Sequence, residues 1–231
     1  MPPAETWDRA TRAPAPSDRA GRRGFDGQRC LDLGLTLLAL PLALPLIGLA
    51  ALAVKLDSPG PAFFRQQRLG QAGRPFELVK LRTMRAESDP SLHRAHVRAL
   101  LRSDAAPGTW RRLSADPRVT RVGAWLRATG IDELPQLGNV LRGEMSLVGP
   151  RPALPYEAEL WQDWHRERLA LRPGITGLWQ VEGRDRVDFD GMVRMDLDYI
   201  RRRSIGLDLS LIARTPASLV TRRHPARTEL R

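Results

Sequence analysis

Residues Leu33 to Val54 read L-G-L-T-L-L-A-L-P-L-A-L-P-L-I-G-L-A-A-L-A-V, without one charged side chain. At about 1.5 Å per residue, a helix of this length matches a hydrocarbon core of about 30 Å. A helix buried in a soluble core would show a polar face, and none exists here. A cleaved secretory signal is disfavoured too, because the segment starts late, is long and runs directly into charged sequence. The segment is therefore expected in a membrane. Pro41 and Pro45 fall in its middle, and each removes a backbone hydrogen bond and crowds the carbonyl four residues earlier. Both breaks lie on one face of one turn, which predicts a sharp bend. The flanks are basic on both sides, with Arg22, Arg23 and Arg29 before and Lys55, Arg65 and Arg68 after. Positive charge marks the cytoplasmic side. A straight span would put one basic flank on the wrong side, so a re-entrant hairpin that returns to its own face is the expected topology.

Upstream, residues 1–24 carry Pro, Ala, Arg and Asp with no apolar period and are expected to be a disordered basic tail. The whole chain has 231 residues and a formal charge of +11, almost all from arginine, since lysine occurs only at Lys55 and Lys80. Such a charge asks for an anionic partner: nucleic acid, a phosphorylated substrate or an anionic membrane. The single cysteine, Cys30, rules out an intrachain disulfide framework and a cysteine-based zinc site; beside the apolar segment it reads as a small packing residue. His93 and His96 have no further ligand cluster and read as a solvated helix face.

Downstream, Asp57-Ser58-Pro59-Gly60-Pro61 is a turn cluster, and Ala62–Phe64 with Phe76–Leu81 predict a β-hairpin. Lys80 and Arg82 alternate with apolar neighbours and share one strand face, as plain solvent exposure or as a basic wall for an anion. Residues 86–115 read as an exposed helix and a variable loop. A helix is expected from about Val122 to Ala128. Tyr156 to Leu171 predicts an amphipathic helix carrying Leu160, Trp161, Trp164 and Leu169, a stripe that suits a core or a membrane interface. A turn and short strand at 172–181, a helix from Phe189 to Arg203 and an apolar run from Leu207 to Val220, broken by Pro216, complete the chain.

Between these elements lies L-R-A-T-G-I-D-E-L-P-Q-L-G-N-V-L-R-G-E-M-S-L-V-G-P-R-P, residues 126–152. Pro135 is tolerated in a first helical turn, so Asp132 and Glu133 are expected at the start of a short helix that runs to Leu141 or Arg142 and stops at Gly143. Asp132 there can simply be an N-cap that accepts backbone N–H bonds. The alternative is chemical. A carboxylate pair between Arg127 and Arg151, at a helix start, suits a phosphate and a divalent cation.

Six ordered blocks carry a resemblance: K-L-D-S-P-G-P-A-F-F-R-Q-Q-R-L-G (55–70), F-E-L-V-K-L-R-T-M (76–84), D-P-R-V-T-R-V-G (116–123), I-D-E-L-P-Q-L (131–137), R-G-E-M-S-L-V-G-P-R-P (142–152) and R-P-G-I-T-G-L-W-Q-V (172–181). Together they resemble the bacterial sugar transferase family, the monotopic phosphoglycosyl transferases that act on polyprenyl phosphate. The resemblance covers about Asp26 to Val220. It implies a transferase of the bacterial inner membrane, with its catalytic domain on the cytoplasmic face. That enzyme moves a sugar-1-phosphate from a UDP-sugar to undecaprenyl phosphate, the first membrane step of exopolysaccharide, capsule, O-antigen or glycoprotein glycan assembly. Asp132 matches the nucleophile that forms an aspartyl-phosphosugar and expels UMP, and Glu133 its partner in a Mg²⁺-binding acid pair. Arg127 and Arg151 match phosphate-binding arginines, and Lys80, Arg82 and Arg172 are further phosphate candidates. Pro45 matches the helix-breaking proline, with Pro41 as an extra break. Leu44 and Gly130 stand where serine is common in the family, and Gly138 where a large residue is common.

The expected class is then α+β and mostly helical. A re-entrant membrane helix-hairpin (25–56) precedes a compact cytosolic catalytic domain (57–220) with a small β-hairpin or sheet and interfacial amphipathic helices, and a basic tail (221–231) follows. The partners implied are the UDP-sugar, the polyprenyl phosphate and membrane lipids, with no nucleic acid; a homo-oligomer is compatible with the sequence. Three other readings compete. A membrane-anchored nucleic-acid binder would cluster its arginines with exposed aromatics, whereas here they spread among apolar residues. A scaffold would have no need of both acids. A direct glycosyltransferase would release UDP rather than UMP.

Overall fold

The computed structural model describes residues 27–85, 116, 118–183 and 187–220. Both tails, the segment 86–115 with His93 and His96, and Arg184 lie outside the described residues. Helix α1 (Gly27–Asp57) is 31 residues long and contains Pro41 and Pro45. One stripe of it is buried: Gln28, Asp32, Thr36, Ala43, Ala50 and Val54. Many of the other positions are exposed leucine, from Leu46 at 37% to Leu56 at 80%. In water each such leucine would forgo about 2 kcal/mol of burial. The apolar surface of α1 is therefore a membrane surface, and the chain is membrane-associated.

Both ends of α1 are fastened to the same body. At its start, Asp32 Oδ1 accepts from Ser146 Oγ (3.0 Å) and Leu147 N (2.9 Å). Arg29 donates to the carbonyls of Val140 (2.6 Å) and Leu141 (2.9 Å), and Gln28 donates to Asp208, which also accepts from the Tyr199 hydroxyl. At its end, Ala50 and Val54 pack with Ala62, Leu81 and Leu126, while Asp57 Oδ2 accepts from Val122 N (3.3 Å). Cys30 is exposed rather than packed, because the stripe that faces the body falls on Gln28 and Asp32.

Strands β1 (Phe63–Leu69) and β2 (Pro75–Leu81) form the expected hairpin, antiparallel with Phe64 opposite Lys80 and Arg68 opposite Phe76. Strand β1 runs further than the apolar Ala62–Phe64 suggests, because its polar residues alternate faces rather than end the strand. Helix α2 (Arg121–Thr129) is capped by Thr120, whose hydroxyl accepts from Gly123 N. A 3₁₀ helix (Ile131–Gln136) leads into α3 (Leu137–Arg142), which stops at Gly143 with φ 78°. Strands β3 (Ser146–Val148) and β4 (Gly174–Thr176) pair in parallel. Helix α4 (Pro155–Ala158), a 3₁₀ helix (Asp163–Ala170), a π-turn (Trp179–Gly183), α5 (Phe189–Arg202) and α6 (Ile205–Val220) complete the described chain.

The amphipathic helix expected over 156–171 is two short pieces instead. His165 Nδ1 accepts from Gln162 N (3.1 Å) and restarts the chain after α4. That break turns Trp161 and Leu169 into one core with Leu69, Phe189, Met192 and Val193. Trp164 packs against the same core beneath the guanidinium of Arg194. The tryptophan pair is thus core, not a lipid-facing stripe.

Candidate active site

Asp132 is not an N-cap. The cap position belongs to Gly130, held left-handed at φ 75°, and no side chain caps this turn. Asp132 lies inside the 3₁₀ helix, 4% exposed, with Glu133 half-buried beside it. Glu133 N donates to Gly130 O (3.1 Å), which closes the turn that presents both acids. The preceding residue, Ile131, packs on the cluster of Ala50, Val54, Leu81 and Leu126. The acid pair is therefore one residue from the last turns of the membrane helix.

Three supports set the surroundings. First, Gly123 lets α2 lie directly on Thr83, since a Cβ there would stand 2.1 Å from the Thr83 carbonyl oxygen. Arg127, in the last turn of α2, donates from Nε to Thr83 Oγ1 (2.8 Å). Second, the fully buried Asn139 stitches α3 to the edge of β2, donating to Glu77 O (2.7 Å) and accepting from Val79 N (3.3 Å). Third, the turn after β3 is locked by backbone. Gly149 N donates to Thr176 O and Gly174 N to Pro150 O, each at 2.9 Å. A Cβ on Gly149 would meet the Arg172 carbonyl oxygen at 2.5 Å. This lock carries Arg151.

Arg68, which in the sequence counts only as part of the basic flank after the apolar segment, joins these parts. It shares a strand face with Phe64 and Gln66 on β1 and with Lys80 on β2. It is buried, donates from Nη1 to Pro152 O (2.9 Å) and from Nη2 to Gln66 Oε1 (2.7 Å), and its Nε has no partner among the described residues. Burial, then the charge of Arg151, lowers its pKa to about 10, against the opposing pull of Glu157, Tyr156 and Glu133. Arg68 thus sits within electrostatic reach of one catalytic candidate and one phosphate candidate. Behind Arg151, the buried Arg168 donates to Arg151 O (3.3 Å) and to Asp196 Oδ2 (2.5 Å). Lys80 lies with its ammonium 5.3 Å from the centre of the Phe64 ring.

Two candidates stand apart. The guanidinium of Arg82 is buried and donates to the carbonyls of Val54, Ser58 and Pro59, so it holds the end of α1. Arg172 lines a groove of about 840 Å³ with Arg74, Arg142, Arg166 and Arg201, and Asp132 does not line it. Among the described residues no group of three or more His, Cys, Asp or Glu is placed to hold a metal. Mg²⁺ does not need one, since it is bound through one or two carboxylates with substrate phosphates and water. The Asp132-Glu133 pair fits that donor set.

A family model described as bacterial sugar transferase matches residues 25–222. The chain is 44% identical over 206 residues to the UDP-glucose:undecaprenyl-phosphate glucose-1-phosphate transferase of Caulobacter vibrioides, covering 84% of this chain and 70% of that protein. It is 40% identical over 203 residues to the exopolysaccharide production protein ExoY of Rhizobium meliloti, covering 86% and 88%. It is 39% identical over 203 residues to the undecaprenyl-phosphate galactose phosphotransferase of Salmonella typhimurium, covering 86% of this chain but 41% of that longer protein.

Proposed function

The chain belongs to the bacterial sugar transferase family, and on that premise we propose that it transfers a sugar-1-phosphate from a UDP-sugar to undecaprenyl phosphate through a covalent bond to Asp132. The observation that carries this reading is the place of Asp132: nearly buried, paired with Glu133, and one residue from the foot of the membrane helix.

In the first step a carboxylate oxygen of Asp132 attacks the β-phosphorus of the donor. The bond from that phosphorus to the bridging oxygen breaks, and UMP leaves. In the second, an oxygen of the lipid phosphate attacks the same phosphorus, the bond to Asp132 breaks, and the carboxylate returns. Mg²⁺, when bound, would neutralise the diphosphate oxygens that otherwise repel a carboxylate; Asp132 and Glu133 would hold it. Arg127 and Arg151 bind phosphate oxygens, and Arg68 holds the turn that carries Arg151. Lys80 supplies a further positive charge on the same strand face.

Asp132→Asn should abolish UMP release from the correct UDP-sugar with Mg²⁺ and lipid acceptor, and near-normal turnover by that variant would sink the mechanism. Wild-type protein given donor without acceptor should gain the mass of one sugar phosphate. Release of UDP in place of UMP would mean direct glycosyl transfer.

We place the enzyme at the inner membrane with its body in the cytoplasm and α1 re-entrant. Support comes from the basic flanks and from the two ends of α1, which are fastened to one body. Cysteines introduced at Arg19 and Arg85, in a Cys30→Ser background, should react with an impermeant reagent from the same side of the membrane. Labelling from opposite sides would mean a simple span.

A further inference from the structure

The groove of about 840 Å³ that holds Arg172 opens at the far end of the hairpin from the acid pair. Ile131, beside Asp132, packs on Leu81 at the end of β2, whereas the groove is lined by Pro75 at its start. The length of β2 separates them, about 20 Å at about 3.4 Å per residue. The five arginines of the groove come from separate parts of the chain. Arg74 lies in the hairpin turn, Arg142 at the end of α3, Arg166 in the second long 3₁₀ helix, Arg172 before β4 and Arg201 at the end of α5. Arg142 pairs with Glu144 (2.9 Å), and Arg166 donates from Nη2 to Ala158 O (3.3 Å). The guanidiniums of Arg74, Arg172 and Arg201 have no partner among the described residues. Glu144 and Glu167 are the only carboxylates in the lining.

Like charges held on a concave wall focus a positive potential, so the groove calls for an anionic occupant. Its floor is apolar, with Phe76, Leu169 and Leu197 buried and Ile200 partly so. A smaller cavity of about 410 Å³ shares Glu167, Leu197 and Arg201 and adds Trp164 and Arg194, which prolongs the groove along α5. A compact phosphate prefers backbone amides at a helix start. Here α3 and α5 end instead, and helix ends are negative. The amides of the hairpin turn are spent within it: Gly70 N on Arg74 O, Gly73 N on Gly70 O and Arg74 N on Gln71 O. Charges spread along an apolar floor suit carboxylates met one by one by forked guanidiniums, with an apolar side chain between them. The chain's own tails do not suit, since each carries more arginine than acid, and two copies at +11 each repel.

We propose that this groove is a docking site for an acidic segment of a partner protein, a run of Asp and Glu around one or two large apolar residues. A partner seated there lies the length of β2 from Asp132 and leaves the acid pair free. The proposal is independent of the reaction assigned to that pair.

The test is a fluorescence-anisotropy titration of full-length protein in phosphatidylcholine nanodiscs, with a fluorescein-labelled peptide Glu-Asp-Glu-Leu-Phe-Glu-Asp-Glu as probe. Arg74→Gln with Arg201→Gln should weaken binding about tenfold or more, because charge-assisted contacts are lost. Arg65→Gln with Arg121→Gln removes the same charge from exposed positions outside the groove, and should leave binding within about twofold. Equal binding by wild-type protein and both variants, or equal loss in both, would reduce the attraction to diffuse charge and overturn the site. Replacing the Leu-Phe of the peptide by Ser-Ser should also weaken binding, and an unchanged affinity would remove the apolar floor from the proposal. Displacement of the peptide by pyrophosphate or UMP at concentrations as low as the peptide's own would mean a phosphate site instead. UMP release by the Arg74→Gln, Arg201→Gln protein should match wild type. Its loss, with the melting temperature unchanged, would make the groove part of the reaction and overturn its independence.

Discussion

Among single residues, Arg68 ties β1 to the turn that carries Arg151. Its two bonded nitrogens serve Pro152 O and Gln66 Oε1. Arg68→Met keeps the volume but strands those acceptors, at about 1–3 kcal/mol of stability. UMP release should fall more than a denaturant melt alone would predict, because the turn that carries Arg151 is freed. Glu133→Gln should raise the Mg²⁺ concentration needed for half-maximal rate, since one donor loses its charge, whereas an unchanged Mg²⁺ profile would remove Glu133 from the metal. Asp132 and Glu133 were legible as a pair because their setting between two arginines is unusual. Arg68 was not, because a buried arginine in a strand looks in sequence like any polar residue on an alternating face. Arg82 shows the converse, since the same alternation marked it for phosphate while its guanidinium is spent on the end of α1.

At the scale of elements, two glycines should behave oppositely. Gly138→Ala in α3 meets only the end of the flexible Arg142 side chain at 3.6 Å, so it should stabilise the protein by about 0.5–1 kcal/mol through helix propensity. Gly149→Ala meets the backbone of Arg172 and Gly174 at 2.5 and 2.9 Å; it should destabilise by about 1–3 kcal/mol and displace Arg151. Thermal melts and UMP release on both variants check the contrast. The Arg168–Asp196 pair gives a pH prediction. Burial, opposed by Arg168, pushes Asp196 up to about 6, above the usual value of 3.8. A raised carboxylate pKa favours folding while the group is protonated, and that contribution is lost as pH rises through about 6. Acidification from pH 7 to 5 should therefore not lower stability through this pair. Turnover should still fall over that range, because protonation loosens Arg168 and with it the Arg151 carbonyl. Most helices and the hairpin could be read from periodicity, whereas the break within 156–171 could not, since it depends on a histidine that caps its own turn and on a distant core.

At the scale of the whole molecule, the apolar run declared a membrane segment, but nothing in it announced how closely it joins the body. Asp32, Gln28 and Arg29 are polar residues beside that run, and their partners lie far along the chain in β3, α3 and α6. Asp32→Ala should remove the acceptor from Ser146 and Leu147, at about 1–3 kcal/mol. A lower melting temperature in detergent, with slower UMP release, would report that β3 and the Arg151 turn are steadied from inside the membrane helix.

The double fastening of α1 also bears on how the protein can be handled. Cut after Pro59, the body would expose Ala62, Leu81 and Leu126 where Ala50 and Val54 had covered them. It would also leave the Leu147 amide and the Arg82 guanidinium without the oxygens that now receive them. The membrane segment is thus a wall of the enzyme and not a tether to it. Trimming it away cannot yield a working water-soluble form, and a protease that nicks the Ser58-Pro59-Gly60 turn should produce two fragments that stay together.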